Sequence, residues 1–237
     1  MRESGRMLAT VLEYLRVQVA AGVTTKELGR LANEKLEHLG GKPAFLGYHG
    51  FADVLCVSVN DAIVHGIPND YVLKEGDIVG LDFGVIYNGM ITDGAISMIV
   101  GKAQSKQVEK LLQATKQSLE LGIDAVKNGA HVGDIGAVIE KRLRRDNLGI
   151  IEALVGHGVG YELHEKPEIP NVGIKGQGPI LKEGMTIAIE PMATLGSKEV
   201  YMDSDGWTVK TQDGSVSAHF EHTVLVTNNG AEILTAL

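Results

Sequence analysis

The sequence is short of cysteine and of positive charge, and each shortage excludes a class of protein. Its single cysteine, Cys56, excludes an intramolecular disulfide and removes any reason to expect an oxidising compartment. Lys and Arg number 22 against 30 Asp and Glu, which gives a net charge of −8. The basic residues are dispersed apart from a cluster at 141–145 that is typical of a solvated helix face, so the sequence predicts no nucleic-acid-binding surface.

Long apolar runs are also missing. The apolar periodicity near the start of the chain is interrupted by Glu13 and Arg16, so we expect neither a signal peptide nor a membrane-spanning segment, and the cytoplasm is the default location. The chain instead combines 237 residues, 44% of them hydrophobic, with 30 glycines. Such a composition can bury a substantial core as one large domain or as two fused halves.

The most informative local pattern is an apolar stretch, residues 77–93, that carries two aspartates and an Asn88-Gly89 pair. Asn-Gly between apolar strands predicts a hairpin turn, which sets Gly84 opposite Asp93 and makes Asp82 the diagonal neighbour of Asp93 on the same face. Two carboxylates so close on a buried sheet are unfavourable unless one is protonated or a cation lies between them. The hairpin therefore favours a metal site.

Segments of the chain recur in one order at nearly constant spacing, which indicates an internal duplication. Any one match alone would be ordinary turn or helix-start chemistry. Two αβ halves, about 1–103 and 104–237, would be related by a pseudo-twofold axis and would join their strands into one curved, mainly antiparallel sheet with the helices outside. The predicted class is thus α/β (α+β). The matched positions are Lys74 with Lys182, Asp82 with Glu190, His49 with His157, and residues 22–29 with 129–136.

Each half reads as two helices followed by strands. The Thr24-x-x-Glu27 capping box opens one helix, which should end near Gly40. Gln212 to Ser215 reads as a second hairpin turn, between the last two strands. The expected helices are 3–21, 25–40, 104–127 and 134–147, and the expected strands beyond the hairpin are 54–59, 186–192, 206–211 and 216–227.

Four acidic residues, Asp82, Asp93, Glu190 and Glu221, lie within apolar strands. A single acid in a strand is more often partly exposed or paired with arginine. The chain has only 22 basic residues, and few lie near these strands, so a shared cation explains four such acids better than four buried ion pairs. His157, which lies among glycines that let a ligand approach closely, adds a nitrogen donor.

Four carboxylates and one imidazole suit one or two divalent ions such as Mn, Fe, Co or Zn better than calcium or a thiolate-bound structural zinc. Two ions can share a water, lower its pKa and polarise a carbonyl, so hydrolysis is the indicated chemistry. His65 and His164 lie beside glycine or proline turns, where they suit substrate-touching donors or proton carriers; ordinary loop histidines are the alternative. His49 and His219 are candidates for groups around the ligands.

In this order and setting, the five candidate ligands resemble those of the methionine aminopeptidases, members of the M24-type metallopeptidases. The resemblance covers nearly the whole chain, and the short span between His157 and Glu190 is similar to type I enzymes. It implies the pita-bread fold in one catalytic domain, residues 1–237. It also implies removal of the initiator methionine from nascent proteins with a small second residue, by attack of a metal-bridging water. The segments that carry it are 60–68, 156–160, 163–167, 189–192 and 220–223.

The resemblance also implies a role for each residue. Asp82 would chelate one ion, Asp93 and Glu221 would bridge the pair, and His157 and Glu190 would complete the other. Glu190 would receive the proton of the bridging water. His65 would contact the scissile amide or the leaving group, and His164 the substrate carbonyl as it becomes tetrahedral.

Two further sets of residues enter through the resemblance alone. Asn60, Ala62 and Ser217 match positions that hold a monovalent cation in some relatives. The chain departs from many relatives at Gly94, where threonine is common, and at Phe45, where bacterial relatives often carry cysteine, a change that would alter pocket width. The implied methionine pocket is lined by Phe45, Tyr48, Phe51, Cys56, Leu163 and Trp207.

Three other functions compete with this interpretation. A prolidase-like peptidase would use the same ligands, but the chain length and the methionine pocket disfavour it. A metal-free binding module is disfavoured because all five ligand types are present, and a purely structural metal site would leave His65 and His164 idle. The expected partners are nascent polypeptide N-termini, with a transient ribosome association. We expect no membrane association and a monomeric enzyme.

Overall fold

The computed structural model describes all residues, 1–237, and three of its four helices begin where the sequence supplies a cap. Thr24 Oγ1 accepts a hydrogen bond from Glu27 N at 3.1 Å, and Ser105 caps the third helix in the same way. At the fourth helix the Asp134 carboxylate accepts from His131 N at 2.8 Å. The helices are α1 (Arg2–Arg16), α2 (Thr25–Leu39), α3 (Lys106–Asp124) and α4 (Val132–Arg144), with a 3-10 turn at Tyr48–Gly50.

Fifteen strands, many of them short, make up the rest of the ordered backbone. They are β1 (Lys42–Pro43), β2 (Cys56–Val59), β3 (Ala62–Val64), β4 (Ile78–Tyr87), β5 (Met90–Ile99), β6 (Gly149–Ile150), β7 (Gly156–Gly158), β8 (Glu165–Ile169), β9 (Thr186–Ile189), β10 (Met192–Thr194), β11 (Val200–Met202), β12 (Val209–Thr211), β13 (Ser217–His219), β14 (Glu221–Thr227) and β15 (Gly230–Ile233).

One large antiparallel sheet runs through both halves of the chain, in the order β1-β4-β5-β14-β9-β7-β8, with β2 added on β4 and β15 on β14. Its centre is the pairing of β5 with β14, where Ala95 lies opposite Glu221. Two small sheets, β13-β10-β6 and β11-β12-β3, extend its edge. Strands from the two halves therefore meet at the middle of the sheet.

The helices cover the sheet as two separate pairs. α1 packs on β4 and β5, and α2 packs on α1, β1 and β2, over a cluster that includes the fully buried Leu8, Leu28 and Phe83. α3 and α4 pack together over a second cluster, around Leu111 and Ile139, against the strands of the second half. None of the helices is long and apolar enough to cross a membrane.

The hairpin has the predicted register. Tyr87 pairs with Met90 and Gly84 with Asp93, so the turn residues are Asn88 and Gly89, both with positive φ as a two-residue hairpin turn requires. The helices differ from the prediction mainly at their ends. The first helix, for example, stops at Arg16 instead of continuing to residue 21.

Backbone hydrogen bonds recur at matched positions of the two halves. Gly22 N donates to Leu73 O and Gly129 N to Leu181 O, both at 2.9 Å, next to the equivalent bridges Thr24 to Val72 and His131 to Ile180. Likewise Gly76 N donates to Val100 O at 2.8 Å and Gly184 N to Val226 O at 3.0 Å. Repeated contacts of this kind are what a duplicated unit would produce.

Two details of the predicted arrangement are wrong. β12 and β13 do not form a hairpin around Gln212–Ser215, because β12 pairs with β11 and β3 whereas β13 pairs with β10. The match of His49 with His157 also fails, since His49 lies in a 3-10 turn and His157 in a strand of the main sheet. The first error comes from turn residues that do not determine strand pairing, and the second from similarity between short segments that tertiary packing places differently.

Candidate metal centre

The two aspartates lie side by side because they belong to one continuous hairpin. Asp82 pairs with Ala95 and Asp93 with Gly84, so both side chains leave the same face. Asp93 is fixed against the second half by Thr223, whose Oγ1 accepts from Asp93 N at 2.9 Å and donates to Asp93 O at 2.7 Å.

The two glutamates come from the second half and lie where its strands are interrupted. β9 ends at Ile189 and β10 begins at Met192, so Glu190 falls at the break, beside a proline that cannot donate to the ladder. The same register holds on both sides of the break, with His222 opposite Ile189 and His219 opposite Met192. That register sets Glu190 opposite Glu221.

His157 lies on β7, flanked by glycines for a steric reason. A Cβ at Gly156 would be 2.3 Å from Ala188 O, and one at Gly158 would be 2.4 Å from Lys166 O. The ring Nδ1 lies 2.9 Å from Gly158 O, to which it can donate only as the Nδ1–H tautomer. That bond leaves the lone pair of Nε2 free for a ligand.

Ligand atoms from β5, from β14 and from the break between β9 and β10 converge around this imidazole. His157 Nε2 is 3.6 Å from Glu190 Oε1. Donor atoms of Asp93, His157 and Glu221 all lie within 4.8 Å of one another. Glu221 therefore faces both His157 and, across the strand pair, Glu190.

The geometry also brings in a residue that the sequence analysis did not place among the ligands. His219 joins Glu190 and Glu221 in a second group whose donor atoms lie within 4.8 Å of one another, whereas Asp82 belongs to neither group and lies beside Asp93. The signal for His219 is its position two residues before Glu221, although Phe220 between them interrupts the strand.

Burial holds the carboxyl groups well away from their ordinary titration range. It raises the pKa of Asp93 to about 6 and that of Glu190 to about 7, although the nearby His157 opposes both shifts. For Asp82 and Glu221 burial raises the pKa well above its usual value, and the neighbouring carboxylates add to the effect. The cluster thus resists ionisation unless positive charge is supplied.

The residues present fit a divalent cation. Asp82 Oδ1 and Glu221 Oε1 are buried and make no hydrogen bond, and the surrounding cavity contains no Lys or Arg that could neutralise them. Oxygen-rich donors with an imidazole suit divalent first-row metals, and the buried unpaired oxygens are the groups that such an ion would satisfy.

The five proposed ligands, His65, His164 and the six pocket residues named from the sequence line one cavity, whereas His49 and His219 are not among its lining residues. Its apolar part is built from edge-to-face aromatic contacts, with Phe51 6.5 Å from Phe45 and 5.1 Å from Trp207, centroid to centroid. Phe45 packs over Gly84, where a Cβ would be 2.7 Å from the phenyl ring. The thirteen lining residues are Phe45, Tyr48, Phe51, Cys56, His65, Asp82, Asp93, His157, Leu163, His164, Glu190, Trp207 and Glu221.

The two loop histidines point into this cavity and are held neutral by burial. Burial lowers the pKa of His65 to about 4, assisted by His219, and it also lowers the pKa of His164. His65 has a positive φ of 59°, a strained conformation for a residue with a Cβ. The hydroxyl of Tyr48 lies 2.9 Å from His164 Nδ1.

The three residues named for a monovalent cation also come together, away from the carboxylates. Ser217 Oγ lies 3.1 Å from the carbonyl oxygens of both Asn60 and Ala62, and Ser217 N donates to Asn60 O at 2.9 Å. The carbonyls of Asn60 and Ala62 thus converge on one point beside β13.

Comparison with known proteins identifies the family of the chain. The model of metallopeptidase family M24 matches residues 1–228. A methionine aminopeptidase of Clostridium perfringens is 43% identical over 237 residues, which cover 100% of this chain and 95% of that protein. A methionine aminopeptidase of Aquifex aeolicus is 45% identical over 245 residues, again with 100% and 95% covered.

Solved structures give the same result and define the fold. The crystal structure of a methionine aminopeptidase from Thermotoga maritima superposes with a TM-score of 0.98 at 44% identity, covering 100% of this chain and 95% of that one. A prolidase from Pyrococcus furiosus shares the fold alone, with a TM-score of 0.81 at 23% identity, and the match covers 100% of this chain but 63% of the prolidase. The predicted pita-bread fold is confirmed, and the chain belongs to metallopeptidase family M24, as one of its methionine aminopeptidases.

Proposed function

We propose that this chain is a dinuclear metallo-aminopeptidase that releases N-terminal methionine from peptides and nascent proteins whose second residue is small. One observation carries the proposal: the carboxylate and imidazole cluster, two neutral histidines and an aromatic pocket all line the same cavity. Residues 1–237 would act as one catalytic domain, since both halves supply residues to that cavity.

Five residues would hold two divalent ions drawn from Co, Mn, Fe and Zn: Asp82, Asp93, His157, Glu190 and Glu221. When bound, the ions would lower the pKa of a shared water and polarise the scissile carbonyl. Asp93 and Glu221 would contact both ions. Glu221 suits this role because it faces both His157 and Glu190. Asn60, Ala62 and Ser217 would hold a monovalent cation through converging oxygen atoms.

Glu190 would accept the proton of the attacking water at a carboxylate oxygen. The placement of its two oxygens supports this role, because Oε1 lies 3.6 Å from His157 Nε2 whereas Oε2 lies 3.5 Å from His219 Nε2, so the two oxygens can have different partners. Being a ligand and a proton acceptor at once is feasible for a carboxylate, whose two oxygens can make separate contacts.

His164 would donate a hydrogen bond from Nε2 to the carbonyl oxygen as it gains negative charge. The Tyr48 hydroxyl, 2.9 Å from Nδ1, fits this assignment, because by donating to Nδ1 it would place the single proton of the neutral ring on Nε2. His65, whose backbone φ is 59°, would contact the scissile amide or the leaving group, and the proton taken up by Glu190 would pass to the leaving amine.

Methionine selectivity would come from six residues, Phe45, Tyr48, Phe51, Cys56, Leu163 and Trp207. Flexible thioethers make favourable contacts with aromatic rings, and the edge-to-face arrangement leaves ring faces and edges available to the sulfur. Burial raises the pKa of the Cys56 thiol well above its usual value, so this residue acts as a small apolar wall.

The natural partners would be nascent chains emerging in the cytoplasm, met through transient contact with the ribosome. A monomer would suffice, because every residue of the proposed site comes from one chain. The acidic net charge of −8 leaves direct nucleic-acid binding without support.

The proposal is tested by incubating chelator-treated protein with Met-Ala-Ser and with Xaa-Pro peptides, with and without Mn or Co. We expect metal-restored release of methionine from Met-Ala-Ser only. Release from Xaa-Pro would assign the chain to prolidase chemistry instead, and no release with any metal would indicate a binding module.

A further inference from the structure

His219 is a buried histidine at the metal centre that the proposed mechanism does not use. Only 3% of the residue is exposed. Its backbone is fixed by Ser97, whose Oγ donates to His219 O at 2.7 Å and accepts from His219 N at 3.0 Å. The backbone is therefore held at the site by Ser97, and the buried ring Nε2 has no hydrogen-bond partner.

Two carboxylates lie in front of that nitrogen. Nε2 is 3.5 Å from Glu190 Oε2 and 3.8 Å from Glu221 Oε2. A neutral imidazole has one N–H and one lone pair, and a carboxylate can only accept. With the proposed ions bound, both carboxyl groups would be ionised and could only accept, so Nε2 would carry the proton, because a lone pair there would meet only negative oxygens.

The two oxygens of Glu190 face different imidazoles. Oε1 is 3.6 Å from His157 Nε2, and Oε2 is 3.5 Å from His219 Nε2. His157 presents a free lone pair, since its Nδ1 donates to a carbonyl. One oxygen is thus on the side of the proposed ion, and the other is on the side of a hydrogen-bond donor.

The repeated architecture independently places His219 at the site. Val100 and Val226 make matching backbone bonds in the two halves. Counting back along β5 and β13–β14 from these residues, Asp93 and His219 occupy equivalent positions, opposite Gly84 and Met192 respectively. The second half therefore carries an imidazole where the first half carries a ligand.

We propose that His219 is a positioning residue that donates a hydrogen bond from Nε2–H to Glu190 Oε2 and thereby holds Oε1 on the side of His157. The inference rests on the proposed function. A direct ligand role is disfavoured because a catalytic metal site keeps an open position, which a sixth protein ligand would help to close. Groups that orient ligands in this way tune metal affinity.

The test measures Mn and Co affinity by calorimetry in two variants of the full chain. His219→Leu removes the donor at similar size, and His219→Gln supplies an amide N–H in its place. We expect the leucine variant to lose about 10- to 100-fold in affinity for the tighter ion. The glutamine variant should stay within about threefold of the parent, since the hydrogen bond is what matters.

A matched control is His222→Gln, which changes a histidine on β14 whose Nδ1 instead lies 2.9 Å from Thr235 Oγ1. His222 follows Glu221 on the same strand, and adjacent strand residues point to opposite faces of a sheet. This variant should therefore bind metal as the parent does. Circular dichroism establishes folding in every variant. X-ray absorption of the Co-loaded parent and His219→Gln should give the same number of imidazole ligands.

Two results would overturn the inference. Parent-like metal affinity in folded His219→Leu would mean that the contact with Glu190 has no effect on binding. Loss of one imidazole ligand in His219→Gln would make His219 a ligand rather than a positioning residue. Failure of the proposed function would look different, because the parent itself would then bind no metal or release no methionine.

Discussion

Residues 1–103 and 104–237 use matching backbone contacts to build unequal parts of the site. In the first half, β4 and β5 pair without interruption, and a two-residue turn joins them. In the second half, the equivalent pair is broken at Glu190-Pro191 on one strand and at Phe220 on the other, although the register is the same on both sides. One half therefore provides a continuous hairpin and the other an interrupted one.

The interruption changes how the acids face each other. Asp82 and Asp93 are diagonal neighbours, whereas Glu190 and Glu221 are directly opposite. Because Pro191 offers no N–H, the ladder is weakened at the glutamates, and the side chain of Asn171 replaces part of it by donating to Glu190 O at 3.2 Å. The longer side chains at the break can reach across the sheet toward His157.

The largest expected effect separates the equivalent acids Asp82 and Glu190. Asp82→Asn and Glu190→Gln should both weaken metal binding, but only the second removes the proposed proton acceptor. At equal metal occupancy we expect Glu190→Gln to be slower by a further factor of about 10²–10⁴. The measurement is kcat with Met-Ala-Ser alongside metal content. Equal kcat at equal occupancy would remove the proton-acceptor role from Glu190.

The next effect concerns the hydrogen bond that joins the halves, from Tyr48 to His164. We expect His164→Ala to lower kcat/KM by about 10²–10³, as removal of an oxyanion donor does. Tyr48→Phe keeps the aromatic ring in the pocket wall but leaves the His164 ring free to adopt either tautomer. The loss in kcat/KM should therefore be smaller, roughly tenfold and mostly in kcat. Steady-state kinetics with Met-Ala-Ser measure kcat and KM for both variants. An effect of Tyr48→Phe on KM alone would show that Tyr48 only binds substrate.

Most of the fold could be predicted from the sequence, and the hairpin best of all, because Asn88-Gly89 and the alternating pattern fix its register locally. The break at Glu190-Pro191 could not be located in space, since it depends on pairing with a strand distant in the chain. His49 was matched to His157 on spacing alone, and packing placed them in different structures. Similarly, the position of His219 beside Glu190 follows from a long-range register rather than from any local motif.

The metal-free protein should lose stability as pH rises from about 4 to 7. Burial raises the pKa of Asp93 to about 6 and of Glu190 to about 7, so between the unfolded and folded pKa values the folded state binds more protons. The stability that each group contributes is fully present below its unfolded pKa and is lost as pH rises through its folded pKa, by on the order of 3 kcal/mol for each of the two groups.

Urea unfolding at several pH values, with and without Mn, measures this dependence. Bound Mn should reverse the trend, because a cation favours the ionised carboxylates and its affinity rises with pH. Asp93→Asn and Glu190→Gln, one from each half, should each flatten the metal-free slope. A metal-free stability that increases over the same interval would contradict the raised pKa values.

The smallest effect compares equivalent helix glycines, Gly29 in α2 and Gly136 in α4. A Cβ at Gly29 would meet Asp53 Oδ1 at 2.7 Å, whereas one at Gly136 would meet Val172 O at 2.5 Å. A carboxylate can rotate away, but a backbone carbonyl can move only with its strand or loop.

We therefore expect Gly136→Ala to destabilise the protein by about 1–3 kcal/mol, as overpacking does. Gly29→Ala should be near neutral, because the gain in helix propensity, up to about 1 kcal/mol, offsets a small shift of Asp53. Urea unfolding of the two variants measures the difference, and equal stabilities would mean that the two halves pack their helices with equal tolerance.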